Sequence, residues 1–155
     1  MMMGPVELAD TVGMDVCLAV AENLTHSFGG IVPQRLRDMV AEGKLGRKSG
    51  EGFYRYKNGK AIKPKVVNEK PMQDVENRLI FRMINESAYC LRDKVVADGD
   101  LLDAGMIFGT GFAPFRGGPI HYAEQLGLEN LNGLFTKLAV VYGARFNLDD
   151  FFRGC

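Results

Sequence analysis

The sequence predicts an all-α protein, a duplicated helical domain with one short β-hairpin between the copies. Three observations carry this expectation. A ten-residue segment recurs later in the chain, apolar residues repeat at helical spacing through most of the length, and only one passage alternates as a strand pair would.

The repeat is Gly4-Pro5-Val6-Glu7-Leu8-Ala9-Asp10-Thr11-Val12-Gly13 against Gly118-Pro119-Ile120-His121-Tyr122-Ala123-Glu124-Gln125-Leu126-Gly127. The two align without gaps, 114 positions apart, with both Gly-Pro openings, the alanine and the closing glycine identical. The correspondence continues through Leu24 with Leu138, Phe28 with Tyr142 and Gly29 with Gly143. Two Gly-Pro helix starts can look alike by chance, but shared glycine spacings over this length weigh against it.

Each copy reads as two helices. Pro5 and Pro119 suit a first helical turn, and Gly13 and Gly127 suit the residue after a last one. The second helix of the first copy spans Asp15 to Phe28, with Val16, Val20 and Leu24 in one row and Cys17 beside them. Its partner, Leu128 to Tyr142, carries Leu131, Leu134, Phe135, Leu138 and Tyr142 on one face. Pro33 opens a further helix with Leu36, Met39 and Val40, ending before Gly43. Phe53 to Lys57 and Lys60 to Lys63 flank Asn58-Gly59, a strong hairpin signal. From Asp74, read as an N-cap, the rows Val75, Leu79, Met83 and Ile80, Ile84, Ala88 predict a helix of about 24 residues reaching Asp98-Gly99-Asp100. Leu101 to Phe108 reads as a shorter helix before a glycine-rich turn, Gly109 to Gly118. The first copy has no counterpart to that long helix, so it reads as a truncated repeat. Expected boundaries are residues 1–62 for the first copy with its hairpin, 63–72 for an extended linker, and 73–155 for the second copy.

Composition narrows the function. Nineteen Lys and Arg balance nineteen Asp and Glu, so no strong field gathers nucleic acid or anionic lipid. The three cysteines, Cys17, Cys90 and Cys155, are too scattered for a disulfide framework or metal-ligand pairs. No apolar run approaches a membrane span, and Met1-Met2-Met3 leads into Gly4-Pro5 without a signal-peptide pattern. A cytoplasmic protein is expected, or one in an organelle lumen after removal of a targeting segment.

Gly4 to Asp15, followed by Gly43-Lys44-Leu45-Gly46-Arg47-Lys48-Ser49-Gly50-Glu51-Gly52-Phe53-Tyr54, resembles the C-terminal domain of L-3-hydroxyacyl-CoA dehydrogenases. The second half, with Glu76-Asn77-Arg78-Leu79 and the Gly109 to Gly118 turn, resembles the duplicated C-terminal domain of multifunctional fatty-acid oxidation enzymes. The resemblance covers nearly the whole chain. It implies a fold like the 6-phosphogluconate dehydrogenase C-terminal domain, packed against an NAD-binding Rossmann domain and closing an acyl-CoA cleft. It further implies NAD bound mainly outside this chain, hydratase and Rossmann portions of a parent chain as partners, and a thiolase subunit in the parent assembly. A stand-alone helical interaction module is the alternative, and a homodimer is expected where the first copy's apolar face lacks cover.

No residue here is expected to be catalytic. Oxidising a secondary alcohol needs a base, a partner to hold it and a nicotinamide to accept hydride. The family keeps its His and Glu pair in the Rossmann domain. Gly109-Thr110-Gly111 does not complete a dinucleotide fingerprint, because Pro114 stands where the third glycine belongs and no strand precedes it. Asn77 reads as structural, His26 as a surface or capping residue, and His121 with Glu124 as a solvated pair. Two groups remain as binding candidates. Met3, Gly4 and Pro5 match the family segment that lines the acyl cleft. Lys44, Arg47 and Lys48, set among the loop's glycines, would suit a CoA phosphate, or else belong to a plain connection between helix and hairpin.

Overall fold

The computed structural model describes residues 4–64 and 74–153, which fall into two compact units, one within 2–68 and one within 69–155. Both are helical, and one two-stranded antiparallel sheet is present among the described residues.

In the first unit, helix α1 (Pro5–Val12) is followed directly by α2 (Met14–Phe28). Gly13 makes the corner at φ +108°, a conformation that side chains with a Cβ rarely adopt, while its N–H still closes α1 on the Ala9 carbonyl at 2.8 Å. Met14, fully buried, starts α2 and donates its N–H to the Leu45 carbonyl at 3.3 Å. Helix α3 (Gln34–Ala41) packs on α2 and contributes the buried Met39. Strands β1 (Arg55–Lys57) and β2 (Lys60–Ile62) pair with Tyr56 opposite Ala61. Asn58 and Gly59 both take positive φ, as the two-residue turn requires. The strands are shorter than expected, because Phe53 and Tyr54 turn toward α1 instead of extending β1.

The row Val16, Val20, Leu24 does not face a core. These side chains are 43%, 50% and 51% exposed, while the side of α2 toward its neighbours carries Met14, Cys17, Leu18 and Ala21. Amphipathic spacing identified an apolar face without revealing what covers it.

The second unit is organised around α4 (Val75–Arg92), against which α6 (Pro119–Leu126) packs. α5 (Gly99–Thr110) and α7 (Leu128–Tyr142) complete the helices. Phe81, Ile84 and Ala88 of α4 share one buried cluster with Ile120, Leu131 and Phe135. The Phe81 and Phe135 rings stack with centroids 5.3 Å apart. Short 3-10 turns at Ala144–Phe146 and Asp150–Arg153 close the unit. Asn85 holds them from both ends of its amide, donating to the Asn147 carbonyl at 2.7 Å and accepting from the Asp149 N–H at 2.9 Å.

Two features of α4 differ from expectation. The helix stops at Arg92, six residues short of Asp98. Lys94 takes φ +58° and donates to Leu91, while the Val95 N–H reaches the Cys90 carbonyl at 2.9 Å. This Schellman-type ending normally uses glycine, so a lysine there left no sequence signal. At the other end Asp74 sits at φ +65° and makes no side-chain cap. The Asp98-Gly99-Asp100 stretch, read as a break, is the start of α5. Asp98 caps it by accepting from the Leu101 N–H at 2.9 Å, and the helix continues through Gly109 until Gly111 ends it in the left-handed region.

Candidate functional site

The two predicted binding groups occur on the first unit, joined by α1. Gly4 and Pro5 open that helix and are exposed, while Met3 lies outside the described residues. Asp10 follows Pro5 by five residues, roughly 7.5 Å of helical rise. There the loop from Gly43 to Gly50 meets α1. Gly46 lies so close that a Cβ on it would come within 2.3 Å of the Asp10 carbonyl oxygen.

Asp10 organises the contact. Its carboxylate is fully buried and accepts from the Phe53 N–H and the Tyr54 N–H, both at 2.8 Å, and from the Tyr56 hydroxyl at 3.0 Å. Three donors replace the water that a buried carboxylate loses. Burial first, and then the bond to this carboxylate, push the Tyr56 phenol up to about 12. Lys63 at the far end of the hairpin adds an ion pair to Glu7 of α1 at 2.7 Å.

The cations of the loop are mostly engaged. Lys44 pairs with Glu42 at 2.6 Å, and Lys48 holds both Asp15 carboxylate oxygens at 2.5 and 2.6 Å. The Lys48 bond holds the Asp15 carboxyl below its ordinary range. Arg47 is exposed and lies along the hairpin turn, one guanidinium nitrogen 3.2 Å from where a Gly59 Cβ would stand. Backbone donors are engaged as well. The N–H groups of Gly43, Lys44, Leu45, Gly46, Ser49 and Gly50 all bond to carbonyls of α3 or of the loop itself and its junction with the hairpin. An anion arriving here would therefore meet side-chain charge, with these six N–H groups already committed.

A matching arrangement occurs in the second unit. Asp103 of α5, 6% exposed, accepts from the first N–H groups of α6, Ile120 and His121, each at 2.9 Å. Negative charge at that end complements the helix dipole. His121 itself is exposed and bonds to Gln125 at 2.9 Å, in place of the expected Glu124. Among the described residues neither histidine pairs with a carboxylate, and no cluster of three His, Cys, Asp or Glu could hold a metal ion. Gly109 and Gly111 end a helix where a dinucleotide loop must begin one, so they present carbonyl oxygens where a pyrophosphate needs N–H groups.

Sequence reasoning missed Asp10, Tyr56 and Asp103. The available signal was the glycines, since Gly46 and Gly52 both close on Asp10 and Gly118 closes on Asp103.

Comparison with known proteins places this architecture. Residues 1–56 match the model of the 3-hydroxyacyl-CoA dehydrogenase C-terminal domain. The 3-hydroxybutyryl-CoA dehydrogenase of Escherichia coli K12 substr. MG1655 superposes with a TM-score of 0.69 at 18% identity, over 98% of this chain and 50% of that one. The dehydrogenase part of multifunctional enzyme 1 from C. elegans gives 0.67 at 23% identity, over 98% of this chain and 38% of that one. At these identities the two structures establish the fold. The chain is a homologue of the C-terminal domain of 3-hydroxyacyl-CoA dehydrogenases. More closely, it is similar to the fatty acid oxidation complex subunit alpha of Shewanella sp. strain MR-7, at 37% identity over 92% of this chain, and to that of Idiomarina loihiensis, at 34% over 92%. It spans 23% and 22% of the lengths of these two curated relatives. Among the described residues no helix is long and apolar enough to cross a membrane.

Proposed function

We propose that this chain acts as the cleft-closing, subunit-contacting part of an NAD-dependent 3-hydroxyacyl-CoA dehydrogenase of fatty-acid β-oxidation. Identity of 37% to a fatty acid oxidation α subunit over 92% of the chain carries this reading. The reaction removes hydride from the alcohol carbon to NAD and passes the hydroxyl proton to a base. Both the base and the cofactor belong to Rossmann sequence outside these residues, and a separate hydratase portion also lies outside them. The assembly would be cytoplasmic, with a thiolase subunit as a further partner.

In this reading Met3, Gly4 and Pro5 border the acyl chain, Gly4 and Pro5 doing so from the start of α1, and the Gly43 to Gly50 loop faces the CoA phosphates. Arg47 is the cation best suited to contact a phosphate, because Lys44 and Lys48 already have carboxylate partners.

The test is an assay of NAD reduction with an L-3-hydroxyacyl-CoA. It compares this chain alone, the Rossmann-bearing part of a Shewanella α subunit alone, and the two fused so that this chain replaces the relative's own C-terminal segment. Activity restored by fusion supports the proposal. A folded fusion that binds NAD yet leaves activity at the level of the Rossmann-bearing part alone overturns it.

A further inference from the structure

We propose that Asn58 is a self-modification site, its side-chain amide lost to attack by the Gly59 backbone nitrogen with the aid of the cations around the hairpin turn. Asn58 and Gly59 are exposed and link β1 to β2, the ladder closing at Lys57 opposite Lys60. Among the described residues no acceptor takes the Gly59 N–H. Gly59 has no Cβ to hinder the approach of its nitrogen to the Asn58 side chain. The chain holds a second Asn-Gly pair, Asn132-Gly133, and the fold treats it differently. That pair is exposed too, but it lies inside α7, where the helix ladder commits the Gly133 N–H to the Glu129 carbonyl. Turning Asn132 toward its neighbour's nitrogen would break helix hydrogen bonds, whereas Asn58 and Gly59 stand outside the strand ladder. One dipeptide thus occurs in an open and in a protected setting, and the structure decides which of the two reacts.

Charge at the turn favours the same step. Two guanidinium nitrogens of Arg47 lie 3.2 and 3.7 Å from where a Gly59 Cβ would stand. Lys57 and Lys60 are register partners across the ladder, and like charges directly opposite one another destabilise a strand pair. Among the described residues none of these three cations pairs with a carboxylate. A base from solvent takes the Gly59 N–H proton, the nitrogen bonds to the Asn58 Cγ, and negative charge passes to the Asn58 oxygen. Fixed positive charge nearby stabilises both anions. The Cγ–Nδ2 bond then breaks, and ammonia leaves with a proton from water, closing a cyclic succinimide. Water opens that ring at either carbonyl, giving aspartate or isoaspartate. Each product replaces a neutral amide by a carboxylate, which offsets the repulsion between Lys57 and Lys60. Aspartate suits the positive φ of this turn position, whereas isoaspartate adds one carbon to the main chain and disturbs the register of the hairpin.

The experiment ages the full chain at neutral and mildly alkaline pH, digests samples at intervals and measures each Asn-Gly site by mass spectrometry, with fragmentation to separate aspartate from isoaspartate. In the folded chain Asn58 should convert at least about tenfold faster than Asn132, the factor set by the loss of a single helix hydrogen bond. In urea the two rates should converge to within about threefold, since the unfolded chain offers both sites similar backbone freedom. Arg47→Ala and, separately, added salt should each slow Asn58 by about threefold and leave Asn132 nearly unchanged. Circular dichroism checks that the variant folds, and the salt series needs no variant. Equal rates at the two sites in the folded chain overturn the proposal. So does an Asn58 that stays intact for as long as the unfolded chain takes to convert, or a rate that neither Arg47→Ala nor salt reduces. None of these outcomes bears on the dehydrogenase reading, which the fusion assay tests separately.

Discussion

The Tyr56 hydroxyl donates to the buried Asp10 carboxylate at 3.0 Å, fastening the β-hairpin to the first helix. Asp10→Ala removes the acceptor for this bond and for the Phe53 and Tyr54 N–H groups, leaving donors unsatisfied in a partly buried place. A loss of about 2–4 kcal/mol is expected in urea unfolding, and about 1 kcal/mol for Tyr56→Phe, which removes one donor and leaves Asp10 its two backbone N–H partners. A cost below about 0.5 kcal/mol for Asp10→Ala would mean that the hairpin is held by other contacts.

The same pair predicts behaviour at alkaline pH. The folded phenol is pushed up to about 12 from an ordinary value of 10. Between those values the unfolded chain has released its proton and the folded chain has kept it. Stability is therefore fully present below pH 10 and falls as pH rises from about 10 to about 12. Ultraviolet titration of the tyrosines should show a component near 12 that Tyr56→Phe abolishes, and the mutant's stability should fall less steeply over that window.

Gly118 is the clearest case of a glycine with no substitute. It sits at φ +112°, and a Cβ there would come within 2.2 Å of the Asp103 side chain that caps α6. Gly118→Ala should cost more than about 3 kcal/mol, combining backbone strain with displacement of a buried carboxylate. Gly127→Ala, at φ +75° with open space around it, should cost about 1–2 kcal/mol. Equal melting points for the two variants would show that Asp103 moves aside freely.

How much of this was legible in the sequence follows physical range. Helix existence was readable because apolar spacing is local, and Pro5, Pro119, Gly13 and Gly127 marked starts and ends. The end of α4 was not, because Lys94 adopts a glycine-like conformation that its identity does not announce. Nor was the cover on α2, since Val16, Val20 and Leu24 spell an apolar face whether or not anything packs on it. The anchoring role of Asp10 depends on Phe53 and Tyr54, more than forty residues away, a pairing that no local pattern encodes. The glycines that crowd it, Gly46 and Gly52, were legible only as turns.

The two repeats carry an internal control. Leu138 is 4% exposed and Leu24, its equivalent, 51%. Leu138→Ala should destabilise the second unit by about 2–5 kcal/mol through lost burial and a residual cavity. Leu24→Ala should change the stability of a dilute, monomeric sample by less than about 0.5 kcal/mol. Chemical denaturation at low and high protein concentration separates the cases, because any contribution of Leu24 to self-association must grow with concentration, whereas that of Leu138 must not. A concentration-independent loss above about 1 kcal/mol for Leu24→Ala would place that side chain in an intramolecular contact.

The loop cations differ in a way that an active fusion with a Rossmann-bearing relative would reveal. Lys44 and Lys48 are each bound to a carboxylate, Glu42 and Asp15, whereas Arg47 is exposed beside the hairpin turn. If the loop faces the CoA phosphates, Arg47→Ala should raise KM for the acyl-CoA by about three- to tenfold and leave kcat nearly unchanged, because the contact is made equally in the ground and transition states. The increase should shrink as salt rises, since added ions screen the attraction between an exposed guanidinium and a phosphate. Lys48→Ala should change KM by less than about twofold, its charge being already offset by Asp15. Removing that partner with Asp15→Asn frees the ammonium and should lower KM. An Arg47→Ala enzyme with unchanged KM at low salt would remove the loop from the binding surface and leave its glycines and cations to the packing of the hairpin.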